Sequence, residues 1–337
     1  MIFTVGDFGE RRILAEIIPK YAQAVGDDCA VMTGLSDYVV VSTDPVPPPA
    51  AASLGGDNDP YWIGWLLVTI NASDIAASGS RPAGFLAALD LPNDYPIAKL
   101  ERLLKGIADS CCANGLVYVG GNLRESASVS AVGTAFGSSK LPPLQRKGAS
   151  ADDLLIVLGK GGQFWEDVEQ LRTGARIDKS ISPVFSPVSQ ARVVAQLHEA
   201  GLLRCAMDTS DGLAPTLVEL ARVNGLQAMV DLTTMIPRGV SLASRPERLW
   251  MGWGDWTVVA AAKAADWTKI LLLVNENGGE CTAIGHFVFG EPSVVVRGKT
   301  ASAFLGRLES ERFSHDSWFS LGIEEYRRRL HALELPE

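Results

Sequence analysis

The sequence of 337 residues lacks the signatures of several common functional classes. Its five cysteines include no Cys-x-x-Cys pair, so it indicates neither a disulfide framework nor a zinc site and favours a reducing cytoplasm. Its four histidines are widely separated, which leaves little material for histidine-dependent catalysis. The net charge of -9 and the lack of a Lys/Arg-rich run argue against a nucleic-acid partner.

Membrane, secretion and P-loop signals are also missing. The N-terminus has no basic segment followed by an apolar run, so it does not resemble a secretory signal. The longest apolar stretch, residues 62–70, is far shorter than the ~20 residues that span a bilayer. Gly159-Lys160-Gly161-Gly162 lacks the spacing of a P-loop, and we interpret it as a turn.

The length and the 47% hydrophobic content are sufficient for two cores, so we expect two domains. Residues 138–150 carry prolines, glycines and polar residues typical of a connection, which places the boundary near 148. The predicted domains are residues 1–148 and 149–337. Strands and helices intermix in each, and the fold class is therefore α/β (α+β).

Local patterns predict where the polar motifs lie. An apolar strand at residues 38–41 ends at Ser42-Thr43-Asp44, and one at 205–207 ends at Asp208. A buried helix at 61–78 carries Asn71 and Asp74 on one face. Further helices are expected at 97–113, 188–200 and 215–223, further strands at 117–119, 127–136, 154–158, 228–230, 258–261 and 293–296, and either form at 269–277.

Aspartates recur at turns after apolar strands or inside buried segments: Asp27, Asp28, Asp44, Asp74, Asp208, Asp211 and Asp255. An ionised carboxylate in an apolar setting costs several kcal/mol unless it is paired, and few basic residues adjoin these positions. Magnesium is commonly bound by carboxylates together with substrate phosphates. The pattern therefore predicts phosphoryl transfer, which relies on positioning and charge neutralisation. For each aspartate, an Asx turn or a helix cap is the alternative.

Two further segments have two interpretations each. Residues 208–212 could be a capped helix start or a phosphate site at a helix N-terminus, and both could hold. Trp253, Asp255 and Trp256 lie among glycines and could bind a planar substrate. Core packing explains these tryptophans equally well.

Seven motifs occur in an order typical of one known family. They are Gly6-Asp7-Phe8, Gly26-Asp27-Asp28-Cys29-Ala30-Val31, Ser42-Thr43-Asp44, Asn71-Ala72-Ser73-Asp74-Ile75-Ala76-Ala77, Gly120-Gly121-Asn122, Arg146-Lys147-Gly148-Ala149 and Met207-Asp208-Thr209-Ser210-Asp211-Gly212-Leu213. Together they resemble the thiamine-monophosphate kinases within the aminoimidazole-ribonucleotide synthetase (PurM-like) superfamily. The order of the motifs carries more weight than any single match.

The resemblance implies a two-domain PurM-like kinase that dimerises through its N-terminal half and holds ATP and Mg²⁺ in a cleft. The implied metal-site residues are Asp27, Asp44, Asp74 and Asp208. The implied nucleotide-binding residues are Asp28, Ser42, Thr43, Gly120, Gly121, Asn122 and Arg146. Asp208, Ser210 and Asp211 would lie near the transferred phosphate.

The sequence departs from this family at three places. Asn122 replaces an aspartate, prolines replace an acidic, histidine-containing segment after Asp44, and residues 252–257 lose two glutamates. These departures leave three hypotheses: a kinase whose acceptor can differ from thiamine phosphate, a synthetase-like enzyme that activates an amide or carboxyl oxygen, and a nucleotide-binding protein without catalysis.

Overall fold

A computed structural model describes residues 16, 30–32, 37–236, 241, 243–308 and 322–337. Its helices are α1 (Ala50–Ser53), α2 (Tyr61–Ala77), α3 (Ile97–Asn114), α4 (Gln163–Arg172), α5 (Ala191–Glu199), α6 (Leu213–Asn224), α7 (Glu247–Trp250), α8 (Trp267–Glu276) and α9 (Ile323–Ala332). Its strands are β1 (Ala30–Met32), β2 (Tyr38–Pro45), β3 (Arg81–Leu91), β4 (Val117–Glu125), β5 (Ser130–Ser139), β6 (Asp153–Leu158), β7 (Cys205–Asp208), β8 (Gln227–Asp231), β9 (Val258–Lys263), β10 (Cys281–Val288), β11 (Ser293–Arg297) and β12 (Ser302–Phe304).

The N-terminal half is built on a five-stranded sheet in the order β1-β2-β5-β3-β4. The β3–β4 pair is parallel, and the other pairs are antiparallel. Helices α2 and α3 contribute to one core with the inner face of the sheet, where Leu67 and Leu103 pack with Val40, Phe85 and Ala135. Val117, Val119 and Val132 on the outer face of this sheet are exposed.

Two glycines bring α2 and α3 unusually close together. A Cβ atom on Gly64 would lie 2.1 Å from the carbonyl oxygen of Leu103, and one on Gly106 would lie 2.0 Å from that of Tyr61. Any larger residue would push the helices apart. The close contact helps to bury α2, as expected for residues 61–78.

The C-terminal half contains a seven-stranded sheet in the order β12-β11-β8-β10-β6-β9-β7. Central strand β6 alternates between two cores: Leu155 and Val157 belong to one cluster, and Ile156 and Leu158 to the other. Apolar residues therefore lie on both faces of the strand. Ala76, near the end of α2, joins the second cluster and connects the two halves.

Most expected elements are confirmed, but the predicted order of the first half was wrong by one strand. Strand β3 (Arg81–Leu91) lies between α2 and α3 and pairs with both β4 and β5. Its alanines and leucines do not favour a strand, and pairing with distant segments overrides that propensity. Helix α4 and strand β10 were also not predicted, and the ambiguous residues 269–277 lie largely in a helix. Within the described ranges, no helix is long and apolar enough to cross a membrane.

Candidate active site

A cavity of 420 Å³ lies where the two halves meet. Its polar lining consists of Asp44 and Asp74 from the N-terminal half and Ser210 and Asp211 from the C-terminal half, together with Ser53. Aromatic side chains form much of the remaining wall: Trp62, Phe164, Phe185, Trp253 and Trp256. The cavity thus combines carboxylates with flat apolar surfaces, as ligand sites often do.

The end of β2 is fixed onto α2 by side-chain hydrogen bonds. The Ser42 hydroxyl donates to the Asp74 carboxylate, and the backbone N–H of Asp44 donates to Oδ1 of Asn71 at 3.0 Å. Asn71 is fully buried and also donates to the Leu67 carbonyl. Because Asn71 and Asp74 share one face of α2, as predicted, these bonds place the Asp44 and Asp74 residues at the same cavity.

Asp208 lies behind the cavity lining and connects the halves. Its carboxylate accepts hydrogen bonds from the hydroxyls of Ser73 at 2.7 Å and Ser210 at 2.8 Å. The residue is only 1% exposed, and its backbone carbonyl accepts the Thr216 hydroxyl. Asp208 therefore orients Ser210, whereas Ser210 and Asp211 themselves reach the lining.

Helix α6 begins directly after this loop, but neither aspartate occupies its N-cap position. The N-cap position is Gly212, which has a φ of 104°. The Ala214 N–H donates instead to the Met251 carbonyl at 3.1 Å. The Asp208 carboxylate accepts the backbone N–H of Ser210 at 3.4 Å, the contact of an Asx turn, so the turn alternative holds for this residue.

Residues 250–256, which carry three tryptophans, lie partly in the cavity lining and partly in the core. Trp253 lines the cavity and contacts Phe164, with ring centroids 5.0 Å apart. Trp256 also lines the cavity and has a φ of 51°, a conformation that bulky residues rarely adopt. Trp250 is buried against Gly161 and Gly162. Core packing is therefore confirmed for Trp250, whereas substrate binding by Trp253 and Trp256 stays a prediction.

Asp255 holds the start of α4. Its carboxylate accepts the backbone N–H groups of Gly162 and Phe164, each at 2.7 Å. Burial raises the pKa of Asp255 to about 7, against the lowering effect of these hydrogen bonds. It is not among the cavity-lining residues, so the geometry indicates a positioning role for a residue expected to contact substrate. The glycine turn at 159–162 leads into α4, as interpreted.

Gly120, Gly121 and Asn122 lie on edge strand β4, away from the cavity lining. The register with β3 shifts just before Gly120, which marks a β-bulge. A Cβ atom on Gly121 would lie 1.7 Å from the Ala87 carbonyl oxygen, so the strand pairing itself requires glycine. Thr43 is exposed and bonds to Gly133 and Thr134.

Arg146 lies at the other end of α6 from the cavity. Its carbonyl accepts Nδ2 of Asn224, the last residue of that helix, whereas Gly212 precedes the first. A helix of 12 residues is about 18 Å long. Asp27 and Asp28 lie outside the described residues. Nucleotide binding by these residues and by the β4 motif stays a prediction.

The segment between α4 and α5 also belongs to the cavity wall, although no local sequence pattern predicted it. Pro183, Val184, Phe185 and Pro187 from this segment line the cavity. The Pro187 carbonyl accepts Nε1 of Trp65 at 2.7 Å and the Thr69 hydroxyl at 2.8 Å. These bonds attach the segment to α2. Its prolines were a visible signal of an ordered loop, but not of its contact partner.

The donor atoms suit a hard divalent cation that also binds phosphate. Among the residues that the structure describes, no group of three or more acidic, histidine or cysteine side chains is placed to hold a metal. Asp44, Asp74 and Asp211 nevertheless line one cavity. Magnesium keeps several water ligands and is often bound by one or two carboxylates plus substrate phosphates, so this set fits Mg²⁺ with a nucleotide.

Comparisons with known proteins agree with this architecture. Residues 26–138 match the AIR synthase related protein N-terminal domain, and residues 150–298 match the C-terminal domain of the same family. A thiamine-monophosphate kinase of Synechococcus elongatus is 27% identical over 80% of this chain and 85% of its own length. A thiamine-monophosphate kinase of Methanospirillum hungatei is 30% identical over 62% of this chain and 70% of its own.

A solved structure, AaThiL complexed with AMPPCP and TMP, superimposes with a TM-score of 0.72 and 21% identity. The match covers 89% of this chain and 97% of that one, so the two share a fold. Both family domains occur here in sequence, and each corresponds to one of the two sheets. The chain therefore belongs to the AIR synthase related protein family and is a thiamine-monophosphate kinase-like enzyme.

Proposed function

We propose that this protein transfers the γ-phosphoryl group of ATP, with Mg²⁺, to a small planar acceptor bound in the cavity. One observation carries the proposal: carboxylates from both halves, Asp44 and Asp74 on one side and Asp211 on the other, line a single cavity. The relatives named thiamine-monophosphate kinase and the neighbour complexed with AMPPCP support ATP as the donor.

In this proposal the cavity residues have separate roles in binding the metal, the transferred phosphate and the acceptor. Asp44 and Asp74 would hold Mg²⁺ together with the phosphates of ATP, and the Ser42 hydroxyl orients the Asp74 carboxylate. Magnesium at this site would neutralise charge that develops on the phosphate oxygens. Ser210, oriented by Asp208, donates to an oxygen of the transferred group, and Asp211 orients the acceptor oxygen or accepts its proton.

The apolar wall suggests the kind of acceptor. Trp253 and Trp256 add aromatic surface to the cavity lining. Among the described residues, that lining contains no Lys or Arg. Such surfaces favour a flat, ring-containing molecule, and stacked rings contribute about 1 kcal/mol beyond simple burial. Pro47 and Pro48, which replace the acidic family segment, also line the cavity. One of the three departures from the family pattern therefore lies at the proposed acceptor site.

The outer face of the N-terminal sheet supports a homodimer. Val117 and Val119 on β4 are 63% and 59% exposed, and Val132 on β5 is 39% exposed. Asn122 pairs with Ala88 in the adjacent strand, which in turn pairs with Val132. A sheet face of this kind is commonly covered by a second subunit. We propose that a second copy of the chain covers it.

The decisive experiment replaces the cavity carboxylates. In Asp44→Asn and Asp74→Asn, we expect at least a 100-fold loss of phosphoryl transfer from ATP to thiamine monophosphate, or of ATP hydrolysis if that acceptor is not used. Affinity for AMPPCP in the presence of Mg²⁺ should fall as well. Asp94→Asn, an exposed residue of the β3–α3 loop, is the matched control and should retain full activity. Unchanged turnover and AMPPCP affinity in both cavity variants would remove the assignment.

A further inference from the structure

The C-terminal helix α9 forms part of the cavity although it lies outside both family-domain matches. Those matches end at residue 298, whereas α9 covers Ile323–Ala332. Gly322 and Ile323, at the start of the helix, line the same cavity as Trp253 and Asp211. This part of the cavity wall therefore comes from a segment that neither family-domain match covers.

Ion pairs to α4 and core packing hold helix α9 in place beside the cavity. Arg327 makes two hydrogen bonds to Glu169 of α4, at 2.6 and 2.7 Å, and Arg172 pairs with Glu324 at 2.6 Å. Leu330 is fully buried in the same core as α4. Because these contacts lie on the α4 side, they fix α9 without occupying the cavity.

Aromatic packing connects α9 to the site. Tyr326 is 2% exposed, and its ring stacks on Trp165 with a centroid distance of 5.7 Å. It also contacts Trp253, a lining residue, at 5.8 Å. Ile323 precedes Tyr326 by three residues and therefore lies on the same face of the helix. That face is the one turned toward the tryptophans.

We infer that Ile323 is a specificity-determining residue whose side chain limits the size of the ring system that the cavity accepts. The proposed function supplies the class of acceptor on which this inference rests. The inference itself concerns how Ile323 shapes the cavity wall. Ile323 is half-buried and contributes no hydrogen bond from its side chain, so its effect is steric. A change of one methylene group in an apolar pocket typically alters discrimination about tenfold or more.

The test uses aromatic alcohols with one, two and three rings: benzyl alcohol, tryptophol and riboflavin. Binding to the full chain is measured by saturation-transfer NMR in the presence of AMPPCP and Mg²⁺ for the wild type, Ile323→Ala and Ile323→Trp. We expect Ile323→Ala to gain about tenfold in affinity for the largest probe that the wild type rejects or binds weakly. Ile323→Trp should lose about tenfold for the largest probe that the wild type accepts.

Three controls separate a wall effect from misfolding and from failure of the proposed function. Leu272→Trp introduces the same bulk at an exposed site on α8 and should leave the probe order unchanged. Ile323→Val, which keeps a branched apolar side chain, should retain the wild-type order of probe affinities. Calorimetry should give AMPPCP affinities within about twofold in all variants, and loss of AMPPCP binding in the wild type would count against the kinase proposal alone. The same probe profile in wild type, Ile323→Ala and Ile323→Trp, including no binding by any of them, would overturn the role of Ile323.

Discussion

The Ser73 hydroxyl donates a 2.7 Å hydrogen bond to the Asp208 carboxylate across the boundary between the two halves. Ser73 lies on α2, and Asp208 is the last residue of β7. Their exposed fractions are 0% and 1%, so water does not provide an alternative partner. The bond therefore stabilises a buried carboxylate and fixes the relative position of two elements that form the cavity.

Replacing Ser73 with alanine should lower the free energy of unfolding by about 1.5–3 kcal/mol, the usual range for a hydrogen bond to a charged group. Urea denaturation followed by circular dichroism measures the change. Ser78→Ala is the matched control, because its buried hydroxyl donates to the neutral Ile75 carbonyl. An equal or larger loss in the control would contradict the special contribution of the Ser73–Asp208 bond.

Gly254→Ala should destabilise the protein more than Gly174→Ala. Both glycines have positive φ, 113° and 81°, so both substitutions strain the backbone. Only at Gly254 would the new Cβ collide with a ring, 2.3 Å from Cγ of Phe164. We expect an additional loss of about 1–3 kcal/mol from overpacking, measured by chemical denaturation. Equal losses would show that Phe164 moves aside without cost.

Asp255 should make unfolding depend on pH between about 4 and 7. Burial raises its folded-state pKa to about 7, above the unfolded value of 3.8, so the folded protein binds the proton more tightly. Its contribution to stability is therefore greatest at low pH and is lost as pH rises through 7, with a slope of up to about 1.4 kcal/mol per pH unit.

Comparing the wild type with Asp255→Asn isolates this contribution from other titrating groups. The difference in unfolding free energy between the two proteins should change across pH 4–7 and become constant above pH 8. Asp94→Asn, in an exposed loop, should show no such change. A pH-independent difference for Asp255→Asn would mean that the carboxyl stays ionised throughout this range.

Val119→Asp should disrupt the proposed homodimer. Its side chain is 59% exposed on the outer face of the N-terminal sheet, and a charge there would be buried by a partner subunit. Sedimentation velocity should show a shift toward monomer at micromolar concentration. Val218→Asp, at a 46% exposed position on α6, should leave the sedimentation unchanged. A monomeric wild type under the same conditions would contradict the dimer.

The sequence by itself determined the elements whose signals are local. The apolar run before Ser42 predicted β2, and the buried pattern of residues 61–78 predicted α2 with Asn71 and Asp74 on one face. The apolar residues 205–207 predicted a strand that ends at Asp208, and residues 215–223 predicted the helix that follows it. These features depend on residues within a few positions of each other, and the comparisons confirm the family that the motifs indicated.

Only the tertiary structure decided where the predicted site residues lie relative to the cavity. Asp208 lies behind the lining, Asn122 lies on an edge strand after a bulge, and Arg146 lies at the far end of α6. Strand register, the bulge and the helix orientation depend on pairing with segments distant in sequence. For the same reason, the contributions of Phe185 and Ile323 to one cavity could not be predicted from local pattern.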